Sequence, residues 1–184
     1  YNAFQTEKSM EMLVKTIVAN YILEGIYFYS GFMFFYNLGR NQLMPGSVQE
    51  IRYINRDEST HLWLFRNILI ELKKEQPDLF TEQYIDEYRS MIKEGCEQEI
   101  KWGHYVIGDD VQGLNGEMIT DYVQYLGNLR CTNLGFAPIY EGHETEPESM
   151  RWVSQYSNAN TIKTDFFEAR STAYAKSSAL VDDL

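Results

Sequence analysis

The sequence predicts an all-α protein built as a bundle of long helices. Apolar residues recur at steps of three and four through most of the chain, which is the spacing of one helix face. Only four prolines and twelve glycines interrupt the 184 residues, and 44% of the residues are hydrophobic. Few breaks and a sizeable apolar fraction favour long helices packed around a common core over many short strands.

The first helix is predicted from about Glu7 to Arg40. Its middle, from Ile17 to Tyr36, is apolar nearly all round, which indicates either a fully buried helix or a membrane span. This run contains Glu24, and a carboxylate near the centre of a lipid-facing span costs about 2.5–3.5 kcal/mol. We therefore expect a central helix of the bundle and no membrane association.

Three further helices are predicted at about 46–76, 81–107 and 115–134, from their periodicity and from the breakers between them. Pro45 precedes the first of the three and Pro77 ends it, because proline is tolerated in the first turn of a helix and not in its interior. These helices and the first one form the predicted bundle over residues 1–135.

Short breaker motifs set the remaining boundaries. Thr81 is a plausible N-cap, the Gly108-Asp109-Asp110 sequence ends the third helix, and Gly135 ends the fourth. Residues 136–164 are expected to form an irregular loop region. Residues 165–184 are expected to hold a short helix up to about Tyr174 and then a flexible tail.

Charge and cysteine content narrow the class of function. The formal net charge is −11, and an acidic surface repels phosphate, so we expect no nucleic-acid partner. Cys96 and Cys131 form no CxxC motif, which suits buried thiols in a reducing, cytoplasmic setting, although a disulfide stays possible. The chain begins Tyr-Asn-Ala and shows no pattern of a signal peptide.

Two polar residues interrupt the apolar stripe of the second predicted helix. Steps of three and four place the following residues on one face: Ile51, Ile54, Glu58, His61, Phe65, Ile68 and Leu72. Glu58 and His61 therefore lie where a core residue is expected, one turn apart, so that both can point at one ion.

A glutamate also interrupts the corresponding stripe of the first helix, which reads Ile17, Tyr21, Glu24, Phe28, Phe32 and Phe35. A buried carboxylate is costly unless it is paired or bound to a metal. Dimetal bundle proteins use a Glu from each of two helices and a Glu-x-x-His from each of the other two. The chain shows one Glu helix and one Glu-x-x-His helix, which is half of such a site.

At these residues the sequence resembles the small subunit of class I ribonucleotide reductase, a ferritin-like helical bundle that holds a dinuclear metal centre. The resemblance is carried by the following stretches: Leu23-Glu24-Gly25-Ile26-Tyr27-Phe28-Tyr29-Ser30-Gly31-Phe32, Arg56-Asp57-Glu58-Ser59-Thr60-His61, Glu99-Ile100-Lys101-Trp102, Tyr122-Val123-Gln124-Tyr125-Leu126-Gly127-Asn128-Leu129-Arg130 and Phe166-Phe167-Glu168-Ala169-Arg170. They span nearly the whole chain.

The resemblance implies roles for several of these residues. Glu24, Glu58 and His61 are implied as ligands of an Fe/Fe, Mn/Fe or Mn/Mn centre. Asp57 is implied as a link between a metal-bound His and a Trp on the radical path. Phe28 and Phe32 are implied to line a hydrophobic pocket beside the metals, although a core role explains them equally well.

The resemblance also implies roles at the end of the chain. Tyr174 is implied as the tyrosine that carries a radical between subunits. The last four residues resemble the segment that docks in the large subunit, namely Val181, Asp182, Asp183 and Leu184. The resemblance therefore implies a ribonucleotide reductase large subunit as partner and a dimeric small-subunit assembly.

The departures from the family pattern leave alternatives open. The chain contains no second Glu-x-x-His, because His104 has no Glu three residues before it and Glu141 lies only two residues before His143. A companion chain or an N-terminal half is therefore needed to complete the site. The alternatives are a dimetal oxidase or monooxygenase of the same fold, and a metal-free structural or regulatory bundle.

Overall fold

The computed structural model describes residues 9–157 of the chain. It shows six α-helices: α1 (Met10–Gly25), α2 (Tyr29–Arg40), α3 (Pro45–Glu75), α4 (Glu82–Val106), α5 (Gly116–Asn133) and α6 (Arg151–Ser157). Short 3-10 helices at Pro77–Phe80 and Glu148–Met150 precede α4 and α6. Residues 9–157 contain no β-strand, which confirms the all-α prediction.

Three of the predicted helices are confirmed to within a few residues. Pro45 starts α3 and Pro77 starts the 3-10 turn that follows it. The chain leaves α4 before Gly108 and leaves α5 before Gly135, and both glycines have positive φ angles, of 54° and 75°. A left-handed backbone of this kind favours glycine, which explains why both helices end there.

The starts of α4 and α5 differ in their capping, and only Thr81 was predicted as a cap. The Asn115 side chain accepts a hydrogen bond from the backbone N–H of Met118 at 2.9 Å and so caps α5. Thr81 takes the extended conformation of a cap residue before α4, but its side chain makes no capping hydrogen bond. The position of Thr81 was therefore predicted correctly and the contact of its side chain was not.

The prediction of one continuous helix from Glu7 to Arg40 is wrong. The helix ends at Gly25 and a new one starts at Tyr29, with a turn of three residues between them. The backbone N–H of Tyr29 donates to Ile26 O at 3.1 Å, a shorter-range bond than the one a continuous helix would make to Gly25 O. The turn begins two residues after Glu24.

α1 and α2 form the central layer of the bundle. α1 packs against both α3 and α4, α2 also contacts both, and α5 packs mainly against α4. The core between these helices is mostly aliphatic and aromatic, and it includes Val14, Val18, Tyr21, Met33, Tyr36, Ile92 and Ile119. Packing of amphipathic faces against each other is what holds such helices together.

The buried side of α3 differs from the predicted stripe. Four buried residues of α3 recur at every seventh position: Val48, Asn55, Leu62 and Leu69. The predicted stripe lies next to them and is only partly covered, since Ile54 is 45% exposed and Ile68 is 36% exposed. This side of α3, the open flank, is therefore corrected from an inward face to a partly exposed one, since Ile51, Phe65 and Leu72 still pack against the core.

The segment after α5 is more ordered than its composition predicts. The Asn128 side chain donates to the carbonyl oxygens of Tyr140 and His143 and accepts from the N–H groups of Ile139 and Tyr140, at 2.7–2.9 Å. α6 follows, and the Tyr156 ring stacks on Tyr36 with centroids 5.2 Å apart. The stretch predicted as irregular over 136–164 thus includes a short helix.

Two further expectations concern membranes and cysteines. Among residues 9–157, no helix is long and apolar enough to cross a membrane. Cys96 and Cys131 are both buried free thiols, so the expectation of unpaired cysteines is confirmed. The short helix predicted at 165–174 and the tail after it lie outside the described residues.

Candidate metal centre

Three predicted ligands meet at one place between α1 and α3. Glu24 lies in the last turn of α1, and Glu58 and His61 lie one turn apart in the middle of α3. His61 Nδ1 lies 2.9 Å from a carboxylate oxygen of Glu58 and 3.4 Å from one of Glu24. One ligand atom from each residue lies within 4.8 Å of the other two. The sequence prediction thus selected three residues that the fold brings together.

The cluster is buried on its carboxylate side and open on its histidine side. The side chains of Glu58 and Glu24 are 13% and 20% exposed, whereas that of His61 is 50% exposed. Burial, reinforced by the neighbouring Glu24 carboxyl, raises the pKa of Glu58 above its usual range. The hydrogen bond to Glu58 raises the pKa of His61. Two adjacent carboxylates therefore hold a proton or a cation between them.

The chemistry of these donors fits a divalent transition metal. Carboxylate oxygens and an imidazole nitrogen are ligands that iron and manganese accept, and the two negative charges offset those of the cation. The described residues supply three donors, which is fewer than two metal ions need. The other donors have to come from residues that the described fold does not place here.

The two phenylalanines predicted beside the metals differ in their exposure to solvent. Phe32, predicted beside the metals, is 4% exposed and packs within the core, whereas Phe28 is 39% exposed. Their ring centroids are 6.2 Å apart. Phe28 is thus an exposed aromatic residue of the turn, as Ile54 and Ile68 are exposed apolar residues of α3.

Asp57 lies directly before Glu58 but points away from the cluster. Its side chain is 60% exposed, and its hydrogen-bond partner is the neighbouring Arg56, at 3.2 Å. Among residues 9–157, no hydrogen bond or ion pair joins Asp57 to His61. Tyr174 and the docking residues Val181, Asp182, Asp183 and Leu184 lie outside the described residues.

Two buried charged residues near Glu24 were not assigned any role from the sequence. Glu99 is 2% exposed and Arg130 is 6% exposed. Both interrupt apolar stripes, since Glu99 follows Tyr88, Ile92 and Cys96 on the buried side of α4, and Arg130 follows Ile119, Val123 and Leu126 on that of α5. The same spacing that singled out Glu58 could have identified both of them.

Long helices that carry two glutamates and a histidine to one inner face are the arrangement of dimetal-carboxylate bundle proteins. Comparison with protein families gives the particular group. The chain belongs to the ribonucleotide reductase small chain family, because the model described as "Ribonucleotide reductase, small chain" matches residues 1–147. The family expected from the sequence motifs is thereby confirmed.

Individual relatives agree with this assignment. The chain is 73% identical over all 184 residues to the ribonucleoside-diphosphate reductase subunit beta of Treponema pallidum, and it covers 52% of that protein. It is 40% identical over 179 residues to the corresponding subunit of Halalkalibacterium halodurans, covering 97% of this chain and 51% of the relative. The chain therefore spans about half the length of these curated relatives.

A solved structure shows the same architecture. The ribonucleotide reductase R2 subunit from Clostridium botulinum superposes with a TM-score of 0.81 at 46% identity, covering 85% of this chain and 49% of the other. The expected ferritin-like helical bundle is confirmed by this likeness.

Proposed function

We propose that the chain forms half of the radical-generating subunit of a class I ribonucleotide reductase. Glu24, Glu58 and His61 would supply their share of the ligands of a dinuclear iron or manganese centre. A companion chain, or an N-terminal half of the same protein, would supply the rest and cover the open flank. The complete small-subunit assembly is proposed to be dimeric and to act with a large subunit.

The observation that carries this proposal is the approach of Glu24, Glu58 and His61 to within 4.8 Å of one another. Three such groups from two helices are costly to hold together without a cation, because the carboxylates repel each other and are largely out of water. A metal ion turns that repulsion into attraction. The exposed side of His61 leaves room for ligands from another element.

These three side chains are proposed to bind the metal ions and to balance their positive charge. Glu24 and Glu58 would neutralise cationic charge and so favour higher oxidation states of the bound metals, and His61 would help set their geometry. The metals, when bound, supply one-electron oxidising chemistry with O₂ as the oxidant. The resulting oxidising equivalent would be used outside this chain.

Two residues are proposed to pass that oxidising equivalent on. The exposed carboxylate of Asp57 would accept a hydrogen bond from a group of the companion half, since it is turned toward solvent here. Tyr174 would relay the radical to a cysteine of the large subunit, where ribonucleotides are reduced. The four residues from Val181 to Leu184 would dock in that subunit. By the names of its relatives, the substrates are ribonucleoside diphosphates.

The first experiment is native mass spectrometry of the protein as isolated, combined with elemental analysis for iron and manganese. We expect a second polypeptide, or a longer form of this one, with about two metal ions for each complete bundle. A metal-free species of about 21.6 kDa without a companion would contradict the proposal. That result would favour a structural bundle over an enzyme subunit.

The alternative of a dimetal oxidase is tested by measuring activity with and without the large subunit. A radical-exporting subunit is inactive alone and gains activity only when the large subunit is added. An oxidase with its own substrate pocket would consume O₂ with a small apolar substrate in the absence of that subunit. Ribonucleotide reduction that depends on both subunits would therefore support the proposal and exclude the oxidase.

A further inference from the structure

The turn between α1 and α2 leaves two backbone groups without their usual helical partners. In a continuous helix, Gly25 O would accept from Tyr29 N–H, and Ser30 N–H would donate to Ile26 O. Here Tyr29 N–H donates to Ile26 O instead, at 3.1 Å. The carbonyl of Gly25 and the N–H of Ser30 therefore need other partners, because both are buried.

Arg130 of α5 supplies the partner for the carbonyl. Its Nε donates to Gly25 O at 3.0 Å, and its Nη2 donates to the Tyr29 hydroxyl at 3.0 Å. One guanidinium thus contacts the last residue of α1 and the first residue of α2. A planar group with several donors in a fixed geometry can hold two such acceptors at once.

Glu99 of α4 supplies the partner for the amide. Its Oε1 accepts a hydrogen bond from Ser30 N–H at 2.8 Å. The carboxyl group is 2% exposed, and burial raises its pKa to about 7. Glu99 thus accepts a hydrogen bond from a backbone donor in the first turn of α2, although it belongs to a different helix. Because the buried carboxylate has lost its bound water and gained one hydrogen bond, this arrangement costs free energy.

The signs of the two charges suit the two helix ends. The C-terminus of a helix carries partial negative charge and its N-terminus partial positive charge. Arg130 meets the C-terminus of α1, and Glu99 meets the N-terminus of α2. Exchanging the two charges would place each next to a dipole of its own sign.

Two glycines allow the close approach of these groups. A Cβ atom at Gly25 would lie 2.7 Å from Arg130 Nε, and one at Gly103 would lie 2.7 Å from the side-chain oxygen of Ser30. Gly103 lies one helical turn after Glu99 on α4. Both sides of the turn are therefore packed too tightly for a larger residue at either glycine.

We propose that Glu99 and Arg130 are positioning residues that hold the turn between α1 and α2 in place and so fix where the carboxylate of Glu24 meets Glu58 and His61. The hydrogen bonds at the turn are the observations behind this proposal. Its effect on a metal site rests on the proposed metal-binding function. Glu24 is the residue immediately before Gly25. A change in the helix path at Gly25 therefore moves the Glu24 side chain directly.

The test uses the complete metal-binding assembly with Glu99→Met and Arg130→Met, which keep much of each side chain's length and remove the hydrogen bonds. Glu99→Gln keeps an acceptor oxygen and serves as the conservative variant. Tyr88→Phe is the matched control, because it removes a buried hydrogen bond from α4 to Leu79 O, away from the turn. Should Arg130→Met not fold, Arg130→Lys keeps the charge and loses the two-pronged contact.

Two quantities are measured for each variant: amide hydrogen exchange across residues 25–32, and the dissociation constant of Mn²⁺ under anaerobic conditions. We expect both Met variants to exchange faster at Ser30 or its neighbours and to bind Mn²⁺ at least about tenfold more weakly, the usual effect of losing a residue that supports a ligand. Glu99→Gln should stay close to the wild type, and Tyr88→Phe should change neither quantity.

The outcomes separate this inference from the proposed function. Met variants that exchange and bind Mn²⁺ like Tyr88→Phe would overturn the positioning role and leave the proposed function intact. A Glu99→Gln variant as impaired as Glu99→Met would also overturn it, since the hydrogen bond to Ser30 would then not be what matters. A wild-type assembly that binds no Mn²⁺ would overturn the proposed function, and with it the positioning of a metal ligand.

Discussion

His61 Nδ1 lies 2.9 Å from a carboxylate oxygen of Glu58, one helical turn before it. The same nitrogen lies 3.4 Å from Glu24, which belongs to another helix. A nitrogen that faces two carboxylates either carries a proton or shares a cation with them. Occupancy of the cluster by a metal therefore competes with protonation of these three groups.

Glu58→Ala should weaken metal binding by the assembly. The variant removes the least exposed of the three ligands and leaves Glu24 and His61 as the remaining predicted donors of this chain. We expect the affinity for Mn²⁺ to fall by at least about 100-fold, more than the loss of a supporting residue costs. The measurement is an anaerobic titration in which unbound Mn²⁺ is followed by electron paramagnetic resonance. Glu50→Ala, on an exposed site of the same helix, should bind like the wild type.

Tyr174→Phe should separate metal binding from catalysis. Phenylalanine keeps the ring and removes the hydroxyl that a radical relay needs. We expect the variant to hold its metals normally and to reduce ribonucleoside diphosphates at background rates when mixed with the large subunit. Tyr105→Phe, at a tyrosine that is 82% exposed, should retain full activity. Equal activity of the two variants would argue against a relay at Tyr174.

Glu99→Gln should change how stability depends on pH. Burial, opposed in part by the neighbouring Ser30, raises the pKa of Glu99 from 4.5 to about 7. A group with a raised carboxyl pKa binds its proton more tightly in the folded state, so stability is lost as pH rises between these two values. A shift of this size corresponds to about 3 kcal/mol. Relative to Glu99→Gln, the wild type should become less stable from about pH 4.5 to pH 7.

This comparison is made by urea unfolding of both proteins at several pH values, so that titrations common to the two cancel. A difference in the free energy of unfolding that stays constant across the range would show that Glu99 titrates normally. Since glutamine keeps an oxygen acceptor for Ser30 N–H, the variant is expected to fold. The slope with pH, and not the absolute stability, is the quantity that decides.

Gly25→Ala should destabilise the fold. The added Cβ would lie 2.7 Å from Arg130 Nε and 2.9 Å from Leu62 Cδ2, so both neighbours have to move. We expect a loss of about 1–3 kcal/mol, as for other overpacked core positions. Gly31→Ala is the matched control inside α2, where no atom of residues 9–157 outside the adjoining helix backbone lies within 4 Å of the added carbon. It should stabilise the isolated chain by about 0.5–1 kcal/mol, as measured by urea unfolding.

The two cysteines should be unreactive in the folded protein. Burial raises the pKa of both Cys96 and Cys131 to about 12, and the thiolate is the reactive form. We expect no reaction with a disulfide reagent under native conditions and two reactive thiols for each chain after unfolding in denaturant. Rapid native labelling of either cysteine would mean that the core opens around it.

Much of the fold was predictable because it depends on local pattern. The positions of prolines and glycines predicted the bounds of α3, α4 and α5 to within a few residues. Spacing by three and four singled out Glu24, Glu58 and His61 as polar residues within apolar stripes. These signals are short-range, since they involve residues on the same helix or the breakers beside it. The sequence alone could therefore identify the candidate ligands without a model of the packing.

The turn at residues 26–28 could not be predicted in the same way. The residues Ile26, Tyr27 and Phe28 carry no breaker, and their apolar character favours a continuous helix. The groups that stabilise the turn are Glu99 and Arg130, which lie far along the chain in α4 and α5. A tertiary contact of this kind overrides local preference, and its only trace in the sequence is a charge within an apolar stripe.

The open flank of α3 has a consequence for how such a protein can be produced. Ile54 and Ile68, with Phe28 of the turn, remain in contact with water when this chain stands alone. If the companion half binds there, it stabilises the folded chain by mass action, so the two halves depend on each other's abundance. A chain made in excess of its companion would keep this apolar surface exposed. It would therefore be subject to aggregation and to degradation by proteases. Balanced synthesis of both halves would then govern how much of either survives in a cell.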